Sequence, residues 1–550
     1  MRRQWSLVFL FPVALVLLAI AWTMAVPLGT AQDEDAHYVK ALGTGRGELV
    51  GLPPTQLFAP IFRRLSAAEL RQLREHPPHQ TPAKPRRVST FGFSLSTGRD
   101  FRIPTALVQN FDCLQLTDYA STSQPLRCRP MSAPATSSRG LTRVGTHVGT
   151  YPPWPYLLPG VLMQAASDPT SAYYIGRFAS AAIALFVLAL AVVAAWRRDA
   201  GPLSLLGLLV IVTPMTVYMC SVLNPNGLEI AGAACFGASL FRITGSPSSS
   251  TTAAWLGCAV GGVVLALTRP LGPAFVVIIF LAVVCLAERR QLVEVWGGNR
   301  QAVGGTGIAI VLALGLALAW QQHEPTYHAS LSGVIGGLGS SISALPTILR
   351  QAVGMFVSDL LLPWYVNVLW AAMVVALLAA SAVVATPGER IRLGVLAIVT
   401  LGAVVFFSDL INQSTGFLSG RYIFPLLVPL PLYGTSILVR RGERLTVAVR
   451  WRLVAGIVMA AGFAQAFAWW ENARRIAVGT NGPIFFLRHA QWNPLGGWLP
   501  WALLAGAGTV IYLLGATGPR TSLGGVPPVN LLQGLPDASG SRAAYSADRE

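Results

Sequence analysis

The sequence predicts an all-α polytopic membrane protein of about twelve spans. Three observations predict it: 53% of the residues are hydrophobic, only 11% are charged, and apolar runs of roughly 17 to 25 residues recur along nearly the whole chain. Mean hydropathy is +0.55. A net charge of +17 in a soluble chain would suggest nucleic acid. Here almost every cation is an arginine at the end of an apolar run, which is how membrane topology is encoded, so a nucleic-acid partner is excluded. Lysine is confined to Lys40 and Lys84, and the Ala, Gly, Arg and Val bias is that of a GC-rich genome, as in actinobacteria.

The spans read at 6–27, 172–196, 203–219, 227–242, 253–268, 271–287, 303–320, 362–385, 393–410, 421–438, 452–469 and 497–515. Small residues at Gly29-Thr30-Ala31 offer a cleavage site, but the first apolar run exceeds a signal-peptide core and reads as an uncleaved helix. Arg2, Arg3, Arg197, Arg198, Arg242, Arg289, Arg290, Arg300, Arg390, Arg392 and the Arg440-to-Arg452 group then fall on one side. The positive-inside rule makes that side the cytoplasm, with both termini in it and the chain in the cytoplasmic membrane. Residues 1–515 form the membrane domain, and the Gly-, Pro- and Ser-rich tail 516–550 is expected to be disordered.

The other face receives the long segments 28–171, 321–361, 411–420 and 470–496. The first is a large extracytoplasmic loop with a short helical patch at 66–74. Tyr151-Pro152-Pro153-Trp154-Pro155-Tyr156 precedes about ten apolar residues, too few to span and rich in interface aromatics, and predicts a helix lying in the outer leaflet. A second such segment is expected at Ile348 to Leu361, which carries Arg350 and Asp359. Cys113 and Cys128 share the large loop and are a disulfide candidate. Cys220, Cys235, Cys258 and Cys285 fall in or beside apolar runs, where a small polarizable side chain is ordinary packing.

Sorting the polar residues by side concentrates the candidate chemistry. His37, His76, His79, His147, His323, His328 and His489 all fall on the outer face, with Asp33, Glu34, Asp35, Asp409 and Glu229. A proton-coupled transporter would carry ionisable groups near the midplane instead. Asp33, Glu34 and Asp35 follow the first span directly; a carboxylate desolvated beside lipid is a stronger base, suited to a sugar hydroxyl, while the alternative is a solvated acidic face. His37 either joins the acids on a metal or hydrogen-bonds structurally. Asn224 reads as a helix cap with Pro225 at the first helical position, and Glu229, one turn on, should face a cavity or a partner. Arg269, in Thr268-Arg269-Pro270, and Arg421, in Ser419-Gly420-Arg421-Tyr422, either snorkel to headgroups or grip a phosphate, which guanidinium does bidentately.

Four features together resemble the C superfamily of membrane glycosyltransferases (GT-C), and within it a poorly characterised family of predicted bacterial membrane proteins. They are Asp33-Glu34 with Ala36-His37-Tyr38 after the first helix, the Asn224-Pro225-Asn226-Gly227 turn, Arg269-Pro270-Leu271-Gly272-Pro273, and Gly420-Arg421-Tyr422 before a Pro-containing span. The resemblance implies a large first outer loop with membrane-parallel helices, a lipid-linked sugar donor entering through the bilayer, and a catalytic Asp or Glu in that loop. Carried onto this chain, Asp33 or Glu34 is the base. Many members have proline where Asp35 stands, and Asn226 occupies a position where Asp is expected.

The expected function is inverting sugar transfer from a polyprenyl-phosphate donor to an envelope glycan, lipid or protein. A cation must meet the leaving phosphate: Arg421 and Arg269 are the candidates, with Lys40 behind them and Glu229, His37, Tyr422 and Asn224 around the substrate. A divalent metal, Mg or Mn, on Asp33, Glu34 or His37 could serve the same end. Two other classes stay open, a transporter or flippase for a lipid-linked glycan and a non-catalytic subunit of an envelope-assembly complex.

Overall fold

The computed structural model describes residues 2–53, 97–108, 140–245, 251–324, 326, 331–357, 361–415 and 419–516. Cys113, Cys128, the patch at 66–74, His76, His79, His328, Asp359 and the tail beyond 516 lie outside them. The chain is mostly helical: α1 (Arg2–Ala25), α2 (Glu34–Gly45), β1 (Arg99–Pro104), β2 (Leu141–Thr146), α3 (Leu157–Met163), α4 (Pro169–Ala195), α5 (Leu206–Ile211), α6 (Pro214–Cys220) and α7 (Pro225–Gly245). There follow α8 (Thr252–Thr268), α9 (Gly272–Leu286), α10 (Arg289–Gly298), α11 (Arg300–His323), α12 (Leu331–Val353), α13 (Trp364–Val384), α14 (Pro387–Thr415), α15 (Phe424–Leu427), α16 (Pro429–Arg441), α17 (Val447–Val478) and α18 (Leu499–Ala516).

Among the described residues seven helices are long and apolar enough to cross a membrane, nine if each of two bent pairs counts as one span. One bent pair is α5 with α6, kinked by 73°, where Thr213 caps the second helix through the Thr216 N–H and Pro214 opens it. The central helix is α7, buried on nearly every side and packed against α4 and α8. A helix apolar all round belongs in such a place. Glycines let α8 approach it closely: a Cβ at Gly261 would meet the Phe236 backbone.

Two expectations need correction. The fold is not purely α, because β1 and β2 pair antiparallel with Phe101 opposite Val144, and Phe101 and Ile103 pack with Tyr38, Leu42, Tyr156 and Tyr173 in a second small core. That core rests on the ends of the bundle and holds α2 in place. The stretch from Ile348 is not a helix of its own. It is the last part of α12, one of the seven long apolar helices, after which Met355 and Leu361 form a lone antiparallel bridge. The short α3 does expose Leu157, Leu158, Val161 and Leu162 together, the apolar face expected after Tyr156.

Candidate functional site

The turn between α1 and α2 is where the polar residues converge. Gln32 is pinned on both sides: its side chain donates to the Met355 and Phe356 carbonyls at 3.1 and 2.9 Å, and its own carbonyl accepts from Asn224 Nδ2 at 2.8 Å. Asp33, next in sequence, is held in the left-handed region at φ 59° and ψ 10°, the single non-glycine among the described residues with positive φ. Ordinarily an Asp at a helix N-cap lies in the extended region and its carboxylate accepts from the first turn. Asp33 makes no such cap, and its carboxylate reaches away from the helix.

It reaches Arg421. Arg421 Nη2 donates to Asp33 Oδ2 at 2.5 Å and to the Tyr422 hydroxyl at 2.9 Å. His147, which follows β2, places Nε2 3.5 Å from Asp33 Oδ1. Burial of Asp33 favours its neutral form, but Arg421 first and then His147 outweigh it and hold the carboxyl well below the usual carboxylate range. In His147 burial works against the charge, and Asp33, with Asp35 behind it, raises the imidazole above its ordinary value nonetheless. Crowded as it is, the Asp33 side chain keeps 32% of its surface accessible, against 1% for Arg421.

Arg269 completes the cluster. Its guanidinium lies 4.5 Å from the centre of the Tyr422 ring and that of Arg421 4.8 Å from the same ring, so two buried cations flank one phenol. Arg269 Nη1 donates to Asn226 Oδ1 at 2.5 Å and to Glu229 Oε2 at 3.2 Å, and Nη2 to the Tyr151 hydroxyl at 3.4 Å. Asn226 is itself ordered by Asn224, whose Oδ1 accepts from both the Asn226 backbone N–H and Nδ2. Asn224 caps α7 as the sequence predicts. Where Asp was expected, the amide of Asn226 supplies Arg269 with a neutral acceptor. His37 stands beside Tyr151 and shares a 2.8 Å hydrogen bond with the Tyr156 hydroxyl through Nδ1; burial lowers its pKa well below the ordinary value and keeps it neutral.

The two carboxylates nominated as bases are in opposite situations. Glu34 is fully buried in a bidentate pair with Arg177, at 2.7 Å to Nε and 2.6 Å to Nη2. Its oxygens also accept from the Gly29 and Leu223 backbone N–H groups, and Arg177 donates further to the Thr23, Val26 and Pro27 carbonyls. That network ties α1, α2, α4 and the α6–α7 turn together and leaves Glu34 nothing to give a substrate. Asp35 is half-buried, and burial raises its pKa.

Lys40 stands apart from the arginines. Fully buried, it donates to the Leu49 and Gly149 carbonyls at 2.9 and 2.8 Å and lies 4.9 Å from the centre of the Phe101 ring. Burial pushes its pKa down to about 7, and its hydrogen bonds join α2 to the segments that precede β1 and follow β2. Asp409 is likewise elsewhere, between α14 and α12, accepting from Ser341 and Gln413. The residues proposed for a metal do not fit one. Asp33 is committed to Arg421 and His147, Glu34 to Arg177, and His37 to Tyr156, and no group of three His, Cys, Asp or Glu side chains among the described residues could hold an ion.

Arg177 and Tyr151 enter the site without having been singled out as candidates for it, whereas His147 stood among the outer-face histidines and Asn226 in the Asn224-Pro225-Asn226-Gly227 turn. Tyr151 read as an interface aromatic. Arg177 was readable only as a cation inside an apolar span, which should find a buried partner. Beside Asn224 and Tyr156 a small niche with room for about one water molecule lies along α4, walled by Ile183, Ala184, Leu223 and Leu228.

A helical membrane body with this polar cluster at one end defines the class of protein, a polytopic membrane protein with a charged site at the end of its bundle. Residues 15–430 match the family described as predicted membrane protein (DUF2142), and the chain belongs to that family. The crystal structure of ArnT from Cupriavidus metallidurans in the apo state is similar over 68% of this chain and 67% of that one, at 16% identity and a TM-score of 0.34, a likeness too loose to carry an argument. No curated protein matches.

Proposed function

We propose that the chain is a GT-C-like membrane glycosyltransferase with twelve spans. It moves a sugar from a polyprenyl-phosphate donor to an envelope glycan, lipid or protein at the outer face of the cytoplasmic membrane, where α3 lies along the leaflet. One observation carries the reading: an accessible carboxylate, Asp33, in a strained turn and in contact with a buried arginine that has a second buried arginine beside it. Strain of this kind persists where surrounding structure enforces it, and it clusters at active sites.

In this reaction the acceptor oxygen attacks the anomeric carbon, the bond from that carbon to the phosphate oxygen breaks, and the acceptor's proton passes to Asp33. Arg421 meets the phosphate as its charge develops, with Arg269 as the second cation. Paired with Arg421, Asp33 is a weak base. A donor phosphate competes for the guanidinium, and the carboxylate's affinity for a proton rises as the pair loosens.

The test compares Asp33→Asn with Glu34→Gln in nanodiscs, following a labelled sugar from polyprenyl phosphate to acceptor. Loss of a general base costs roughly 10²- to 10⁴-fold, so Asp33→Asn should lose that much, while Glu34→Gln should fall only with the fraction folded. An unchanged rate in Asp33→Asn overturns the assignment. Movement of the lipid-linked sugar across the bilayer with its bonds intact would make the protein a flippase.

A further inference from the structure

At the end of the bundle away from Asp33, α9 and α10 meet at a bend of 112°. Because α9 starts beside Arg269 and runs through the bundle, that angle turns α10 across its far end, close to the plane of the membrane surface. The turn is fixed: Gln291 Oε1 accepts from the Glu288 N–H at 2.9 Å, and α10 touches α7 and α11. No residue of α10 is fully buried. Leu292 and Val295 are half-buried, Val295 against the main core, whereas Val293 and Trp296 are each 63% exposed.

At about 100° per residue, Arg289, Val293 and Trp296 share one flank of α10, and Gln291, Glu294 and Gly298 share the other. A helix lying along a membrane surface turns one flank to lipid and one to water, and the composition of the two flanks assigns them. The arginines are a second, independent observation. Arg289 and Arg290 open α10 and Arg300 opens α11, where the helix dipole disfavours a cation. Arg290 is paired with Glu294 at 2.8 Å; Arg289 and Arg300 are exposed, and no carboxylate among the described residues pairs with either. The positive-inside rule accounts for arginine at this end of the bundle. It does not call for an exposed tryptophan and valine on the flank that carries Arg289.

We propose that α10 is an interfacial helix that binds an anionic phospholipid surface. Val293 and Trp296 lie in the acyl boundary of the leaflet opposite the charged site, and Arg289 and Arg300 on lipid phosphates. Tryptophan suits that depth because its ring is apolar while its Nε1–H reaches the headgroups. Arginine suits it because the stem lies along lipid while the guanidinium takes two phosphate oxygens. Continuity favours lipid over a protein partner: α10 joins α9 to α11, and these expose Val277, Phe280 and Leu281 on the one and Ile308, Val311 and Leu312 on the other. The inference does not depend on the proposed sugar transfer.

The experiment uses the full chain in nanodiscs of phosphatidylcholine, with or without phosphatidylglycerol. Trifluoromethyl-phenylalanine replaces Trp296 in one protein and Glu294 in another, and fluorine relaxation is read with dissolved oxygen, which concentrates in lipid, and with a water-soluble nickel chelate. Oxygen should dominate at the Trp296 position and nickel at the Glu294 position. Phosphatidylglycerol should lower nickel access at the first roughly twofold, through the attraction of arginine to an anionic surface, and Arg289→Gln combined with Arg300→Gln should abolish that lipid dependence. Nickel dominance at the Trp296 position in both lipids overturns the proposal, because the flank then faces water. Protection from both reagents overturns it too, because a protein or a second copy then covers the flank. Equal nickel access in the two lipids, or a lipid dependence that survives the double variant, removes the anionic surface as the partner and the proposal with it.

Discussion

Asp33 and Arg421 are 388 positions apart in sequence and 2.5 Å apart in space, and the contact joins the first interhelical turn to the start of a late helical segment. Because Arg421 serves as both the partner of Asp33 and the proposed phosphate ligand, the two residues should fail as a unit. Arg421→Lys keeps the charge but loses the planar fork, and turnover should fall about 10²-fold, the scale of losing one donor to a developing oxyanion. Adding Asp33→Asn to it should cost less than the product of the two single losses. Steady-state kinetics on the four proteins checks this.

The pair of Glu34 with Arg177 predicts the opposite phenotype. Both side chains are fully buried, and removing one partner of such a pair strands the other charge at a cost of about 3–5 kcal/mol. Glu34→Gln and Arg177→Met should each lower the unfolding temperature sharply in detergent. Protein that does fold should retain its turnover per molecule, since Asp33 and Arg421 are untouched.

The sequence displays Asp33, Asn224, Arg269, Arg421 and Tyr422 because charge and helix caps in an apolar chain are visible one residue at a time. What joins them is not visible. The pairing of β1 with β2 brings His147 to Asp33, yet 36 residues separate Pro104 from Leu141 and no turn signal links the strands. The neighbouring carboxylates Asp33 and Glu34 look alike as letters. They separate only because a left-handed Asp33 turns its side chain toward Arg421 while Glu34 starts the helix pointing at Arg177.

His147 gives the site a pH dependence. Its charged partners are Asp33 and Asp35, with Arg421 opposing. Its folded pKa is raised, so the stability it contributes is fully present below about pH 6.5, its ordinary value, and is lost as pH climbs through the higher folded value. Above about pH 6.5 His147 therefore contributes a decline to the unfolding free energy, against the rise that Lys40 contributes above about pH 7. In His147→Gln that decline should shrink, and in Asp33→Asn as well; equal slopes in all three would remove His147 from the account.

The seat of α3 on α2 predicts a packing effect on the site. A Cβ on Gly160 would overlap the Ala41 carbonyl, and one on Gly45 would overlap the backbone of Gly160, so the two helices meet through bare backbone. Gln164 adds hydrogen bonds to the Leu42 and Gly160 carbonyls. Gly160→Ala must push α3 outward, and Tyr156, just before it, carries the hydrogen bond to His37. Overpacking of this kind costs about 1–3 kcal/mol, seen as a lower unfolding temperature. Turnover should fall as well, since Tyr156 and Tyr151 lie on the segment that α3 anchors and Tyr151 touches Arg269. Turnover per folded molecule that stays unchanged in Gly160→Ala would take the α2–α3 contact out of the account of the site.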